Sequence, residues 1–293
     1  MAVRKDTIFE QFLAPVFKLL IDQEAMEQLY RRVDWDQEIE RLTDPAVVYP
    51  NYYTSQNFHG IEGGYLTTGA AVSYDPITQC VLPPNETWIR QGVVDAIQGQ
   101  PRRILDLGCG TGSTTLLLKQ KFPDAEVIGL DLSPQMLIVA DIKAREAGLE
   151  IQWCHGLAEQ TRFPNVSFDL VTASLLFHET PPEISQAILN ESFRLLRAGG
   201  EVVILDGNQK TLRQTEWLTN IFEEPYIQAY AENSVDAWLS RANFAHIRTQ
   251  EWWWLNQVSH GIKPIPTTEP VNNRRVNFSS PDWSGLDGYP EPA

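Results

Sequence analysis

From about residue 85 onward the apolar positions of this chain alternate between two rhythms. Short apolar runs of strand length, Ile104 to Leu107, Ala125 to Leu130, Glu150 to Cys154, Phe168 to Ala173 and Glu201 to Leu205, are separated by helical spacing at Pro134 to Ala147 and Pro182 to Arg197. That alternation predicts an α/β domain on a mostly parallel sheet with helices on both faces. Asn85 is placed to cap the helix that leads in, Glu86 to about Gln98. Beyond Asp206 a helix is expected over Thr215 to Ala231, where Trp217, Leu218, Ile221, Phe222, Tyr226 and Tyr230 either wall a pocket or complete the core. Ser234 or Asp236 then starts a helix to about Ala242. His246 to Trp254 and Leu255 to Ile262 read as a hairpin that sets an antiparallel strand on the sheet, with Trp252-Trp253-Trp254 in a structural role.

The N-terminal part follows another rhythm. Ile8, Phe9, Phe12, Leu13, Val16, Phe17 and Leu20 recur at helical spacing, either as a face packed on the domain or as a lid or docking surface for a lipid-like molecule. Asp22 caps a second helix running to Val33, and a third, acidic one reaches Leu42. Pro50 to Asp75 interleaves Tyr52, Tyr53, Phe58, His59, Tyr65 and Tyr74 with Gly60, Gly63, Gly64 and Gly69, and reads as a structured loop. Rings beside glycine hinges suit a lid over a ligand; rings packing a linker onto the core explain the same composition. From Pro264 the chain turns rich in Pro, Asn, Ser and Gly. The expected organisation is therefore a helical and aromatic lid region over 1–84, the α/β domain over 85–263 and an extended tail over 264–293.

The chemistry is concentrated where the first apolar run ends. Ile104-Leu-Asp-Leu-Gly-Cys-Gly-Thr-Gly112 passes from strand through a glycine turn to a helix, so Asp106, Gly108, Cys109, Gly110, Thr111 and Gly112 meet a helix amino terminus. Glycines there let a ligand lie against the backbone, and the unpaired N–H groups favour an anionic group. The dinucleotide spacing G-x-G-x-x-G would put its third glycine at Ser113, which argues against a nicotinamide site. The second run ends on Asp131, followed by Leu132 and Met136; an acid about 20 residues past the glycines suits two ribose hydroxyls.

Five stretches in order, I-L-D-L-G-C-G-T-G, V-I-G-L-D-L-S, H-G-L-A-E, F-D-L-V-T-A-S and L-R-A-G-G-E-V-V-I-L-D, resemble the core of the class I S-adenosylmethionine-dependent methyltransferases, and less specifically their quinone-biosynthesis and small-molecule branch. The resemblance implies a Rossmann-like doubly wound sheet with an antiparallel C-terminal hairpin and an N-terminal helical cap. It implies S-adenosyl-L-methionine as cofactor, with S-adenosyl-L-homocysteine as product. Gly156, Leu157 and Ala158 are then expected to border the adenine, although Leu157 stands where the family often has an acid. Ser174 and Leu175 are expected to supply backbone to the methionine end. Tyr52, His59, Tyr65, Tyr74, Phe177 and His178 are expected around the acceptor. His178 is the base candidate, or else a histidine that shapes the pocket without moving a proton.

Composition narrows the partners. A formal charge of −15 with pI near 4.7 argues against nucleic acid, which calls for clustered Lys and Arg. Cys80, Cys109 and Cys154 lack metal or disulfide spacing, so no metal is expected and a reducing, cytoplasmic setting fits. No secretory signal or membrane-spanning stretch is apparent. The expected function is methyl transfer to a small, aromatic or hydrophobic acceptor, by a monomer or a homo-oligomer. A nicotinamide-dependent dehydrogenase and a noncatalytic S-adenosylmethionine-binding regulator are the alternatives.

Overall fold

The computed structural model describes residues 22–59, 61, 63–82, 84–215 and 224–266. The expected helix over residues 8–20, the middle of the expected 215–231 helix and most of the tail lie outside the described residues.

The apolar runs form one seven-stranded sheet of order β3-β2-β1-β4-β5-β7-β6. Its strands are β1 (Arg103–Leu107), β2 (Glu126–Asp131), β3 (Gln152–His155), β4 (Phe168–Ser174), β5 (Leu196–Gly207), β6 (Ala245–Trp252) and β7 (Asn256–Ile262). The first five are parallel, and β7 runs antiparallel between β5 and β6. Strand order reverses at β1, the place where open α/β sheets leave a crevice beyond the carboxyl ends. Leu107 pairs with Leu130 and with Ala173, so β1, β2 and β4 end level and open onto that crevice together.

Both faces of the sheet are covered. On one, Ile89 and Val93 of α5 (Glu86–Ala96) and Leu118 of α6 (Ser113–Lys121) pack with Ile104, Val203, Leu205 and Val258. Asn85 caps α5, its Oδ1 accepting from the Trp88 N–H at 2.8 Å. On the other, Ile188 and Leu189 of α8 (Pro182–Leu195) and Trp238 of α11 (Val235–Arg241) pack with Leu105, Leu107, Val171 and Ile204. Among the described residues, two short helices, α9 (Gln209–Gln214) and α10 (Ile227–Glu232), lie between β5 and α11 in the chain. The Trp252 indole stacks on Trp88 at 4.8 Å, and a Cβ on Gly92 would come within 2.7 Å of it. Gly92→Ala is therefore expected to cost about 1–3 kcal/mol of stability through overpacking, read as a lower urea midpoint with an unchanged slope.

The N-terminal region is more helical than its glycine content suggests. Besides α1 (Gln23–Arg32), α2 (Trp35–Leu42) and the short α3 (Asn51–Thr54), residues Thr68–Val81 form α4, so the expected loop over 50–75 is corrected in its second half. Thr67 caps α4 by accepting from Ala70 N–H, and Pro76 sits within it. Phe58, Tyr65, Ala70 and Ala71 pack against Met136 and Val139 of α7 (Pro134–Glu146), which anchors the segment beside the carboxyl end of β2. Among the described residues no helix is long and apolar enough to cross a membrane.

Candidate active site

The glycine turn follows β1 with Gly108, Gly110 and Gly112 all at positive φ, 60°, 53° and 78°. Their surroundings differ. A Cβ on Gly112 would meet Trp153 at 2.7 Å, whereas a Cβ on Gly110 would meet nothing within 4 Å. Gly112 is thus required by packing, and Gly110 faces open space. Asp131 lies opposite: its Oδ2 accepts from Gly110 N–H at 2.7 Å and its Oδ1 from Ser133 N–H at 2.8 Å. Each oxygen keeps a further lone pair for a ligand hydroxyl.

This turn floors an open cleft of about 820 Å³, including its solvent-filled mouth. Of the residues expected at a cofactor, Gly108, Cys109, Gly110, Asp131, Leu132, Met136, Gly156, Leu157, Ala158, Ser174 and Leu175 line it. Asp106, Thr111 and Gly112 are not on its wall. Asp106 is buried under the turn, accepting from the hydroxyls of Thr115 at 2.6 Å and Thr172 at 2.7 Å, and burial pushes its pKa up to about 6. Thr111 bonds Asp75, whose other oxygen receives Lys143 Nζ at 2.6 Å. These three residues hold the turn in shape.

Tyr52, Tyr53, Tyr65 and Tyr74 line the same cleft. Burial pushes all four phenols above their ordinary range, so each is a neutral hydroxyl. Tyr52 donates to Glu159 at 2.9 Å and Tyr65 to Glu179 at 2.9 Å. Arg90 reaches the cleft from α5, held by Glu86 at 2.7 Å and by Thr114 at 3.1 Å, and Thr114 donates onward to Ser174 at 3.0 Å. The sequence does not single out Arg90; it shows Tyr53 only as one ring of the 50–75 segment, and Glu179 only as the neighbour of Phe177 and His178 facing the acceptor. A Glu86–Arg90 pair at i,i+4 looks like an ordinary exposed ion pair until its burial is seen.

Phe177, His178 and Glu179 form one 3-10 turn after β4. Glu179 lines the cleft, while the Phe177 ring is buried in the core at 6.3 Å from Trp238 and does not reach the cleft wall. His178 stands behind that wall. Its Nδ1 lies 2.6 Å from Asp206 Oδ1. Burial alone would lower its pKa, but Asp206, with Glu179 and Glu224, more than offsets this and raises it to about 10. The same contacts favour the imidazolium, which has no lone pair to offer, over the neutral base expected at His178. His59 Nδ1 lies 2.9 Å from Glu224 Oε1, and its Nε2 lies 3.8 Å from Glu179. One donor atom each from His59, Glu179 and Glu224 falls within 4.8 Å of the others, a convergence that their distance along the chain hid.

Residues 104–200 match the family model described as a methyltransferase domain. The demethylmenaquinone methyltransferase of Lactococcus lactis subsp. lactis is 40% identical over 233 residues, spanning 79% of this chain and 84% of that protein. The chain belongs to the class I S-adenosylmethionine-dependent methyltransferases. A second relative, the demethylmenaquinone methyltransferase of Thermus thermophilus, is 40% identical over 119 residues, 41% of this methyltransferase chain. The match there spans about half of the relative, 53% of its length. Human N-acetylserotonin methyltransferase, solved with S-adenosylmethionine, shares the fold at 16% identity with a TM-score of 0.55, covering 74% of this chain and 61% of that one.

Proposed function

We propose that this methyltransferase moves a methyl group from S-adenosylmethionine to a small molecule held against Tyr52, Tyr53, Tyr65 and Tyr74. The supporting observation is one cleft lined together by open backbone at Gly110, the Asp131 carboxylate and the four tyrosines. These residues suit the cofactor: Asp131 for the ribose hydroxyls, Gly156 to Ala158 beside the adenine, and Arg90 and Ser174 toward the methionine carboxylate. When bound, S-adenosylmethionine supplies an electrophilic methyl on a sulfonium, so the protein's task is mainly alignment and exclusion of water. The tyrosine rings supply bulk for both. His178, held as an imidazolium, positions Glu179 and the β4 end and does not take a proton. The assignment of 1–84 as a cap, 85–263 as the methyltransferase unit and 264–293 as a tail belongs to this reading, as does a cytoplasmic location.

Asp131→Ala tests it. Losing charge-assisted bonds worth about 1.5–3 kcal/mol each should weaken S-adenosylhomocysteine by roughly 10- to 100-fold in isothermal titration. Unchanged affinity would remove the ribose assignment. Release of S-adenosylhomocysteine with a cell extract as acceptor source separates an enzyme from a binding protein.

A further inference from the structure

Resting on methyl transfer in this cleft, we infer that the acceptor is an amine and that Glu179 is both its anchor and its proton acceptor. The charged residues on the cleft wall are Arg90, Asp131, Glu159 and Glu179. Arg90 is matched by Glu86 at 2.7 Å and Asp131 by two backbone N–H groups and the ribose it suits; Glu159 and Glu179 each accept from one tyrosine hydroxyl, and they differ in that Glu179 sits against the His59–Glu224 and His178–Asp206 pairs. Behind Glu179 the two imidazoles are matched as well, His59 to Glu224 at 2.9 Å and His178 to Asp206 at 2.6 Å. They stand 3.8 and 3.9 Å from Glu179. Glu179 thus shares cations that already have closer carboxylates, and it receives a hydrogen bond only from Tyr65 among the described residues. A carboxylate so placed lacks one positive charge.

The consequence appears in its basicity: burial first, then Glu224, push Glu179 up to about 8 despite the two imidazoles. An ammonium beside it would supply the missing charge. A phenolate or carboxylate acceptor would instead meet an acidic wall. The step balances. Glu179 takes one N–H proton of the ammonium, and the freed nitrogen lone pair forms the bond to the methyl carbon. The carbon–sulfur bond breaks with its electron pair left on sulfur, giving S-adenosylhomocysteine and a methylated ammonium. The proton that Glu179 took is the one released overall, and it passes to water when the product leaves and Glu179 deprotonates. A carboxyl with raised pKa is matched to an amine for this exchange, since neither partner holds the proton far more tightly.

The test uses the full chain saturated with S-adenosylhomocysteine, with 2-phenylethylamine, 2-phenylethanol and 3-phenylpropionate as isosteric probes. The amine should bind at least tenfold more tightly than the alcohol, the carboxylate more weakly than either. At pH 7 amine binding should release protons from Glu179, seen as heats that depend on the buffer's ionisation enthalpy; alcohol binding should not. Both differences should vanish in Glu179→Gln, which keeps an acceptor for Tyr65. Should that variant not fold, the proton release of the native protein decides alone. Turnover of S-adenosylmethionine with a panel of arylalkylamines, and not with their hydroxyl counterparts or menadiol, is the expected activity. Equal binding of amine and alcohol, no binding of either, no proton release, or turnover of menadiol alone would overturn the assignment. So would saturable Mn²⁺ binding lost in Glu179→Gln, which would give the missing charge to a metal at His59, Glu179 and Glu224. If S-adenosylhomocysteine itself fails to bind, it is the methyl-transfer reading that fails.

Discussion

Gly110→Val is expected to abolish binding of S-adenosylmethionine and S-adenosylhomocysteine, by 100-fold or more, while the protein remains folded. A Cβ at this position has no protein atom within 4 Å beyond its chain neighbours, so the added side chain starts into open space. It occupies the space over the turn that the cofactor needs, and it also perturbs the Gly110 N–H that Asp131 accepts at 2.7 Å. Its cost to the fold is limited to placing a branched residue at φ 53°, on the order of 1–3 kcal/mol. Far-ultraviolet circular dichroism and isothermal titration separate the two effects. A variant that binds normally would place the cofactor outside this cleft. Gly112→Val should behave in the opposite sense, losing stability first, because its Cβ would meet Trp153 and Ala140 at 2.7 and 3.0 Å.

Asp206→Ala is expected to destabilise the protein by about 3–5 kcal/mol, the range for removing one partner of a buried ion pair. Asp206 is 1% exposed and receives three donors: His178 Nδ1 at 2.6 Å, Phe177 N–H at 2.8 Å and Gly207 N–H at 2.7 Å. The same pair predicts a pH dependence. The folded pKa of His178 is raised to about 10 from an ordinary 6.5, so its contribution is full below about pH 6.5 and is lost as pH rises toward 10. Glu179, raised to about 8, titrates in part of the same window, so the informative quantity is the difference between the native protein and Asp206→Asn. Urea midpoints at pH 6, 8 and 10 should show that difference shrinking as pH rises. A constant difference would mean that His178 is already neutral at pH 6.

The inner strands β1, β2 and β4 were legible because they are buried on both faces and leave apolar runs; the ends of β3, β6 and β7 were missed by a residue or two, and β5 starts five residues before the expected Glu201, at Leu196. The glycine turn and Asp131 were legible for a different reason: backbone conformation and hydrogen bonding restrict which residues fit there. Helix α4 was hidden by Gly69, Pro76 and three threonine or serine hydroxyls, all poor helix formers, and tertiary packing on α7 overrides them. Glu179 was placed beside the acceptor together with Phe177 and His178, and which of the three reaches the cleft was hidden. In a 3-10 turn residues three apart share a side, so Leu176 and Glu179 face the cleft together and Phe177 turns into the core. Nothing in the local pattern said that the chain would tighten there. The partners of His59 and His178 lie 165 and 28 residues away, a separation that only the assembled fold closes.

Hydrogen exchange with and without S-adenosylhomocysteine tests the central claim most directly, because it reports the glycine turn and the tyrosines of the cleft in one measurement. The structure predicts rising protection in residues 108–112 and 130–136 together with residues 52–74, whose tyrosines line the same cleft as Gly110. Protection confined to the glycine turn, with 52–74 unchanged, would contradict the tyrosine wall, and no protection in either would contradict the cofactor cleft itself.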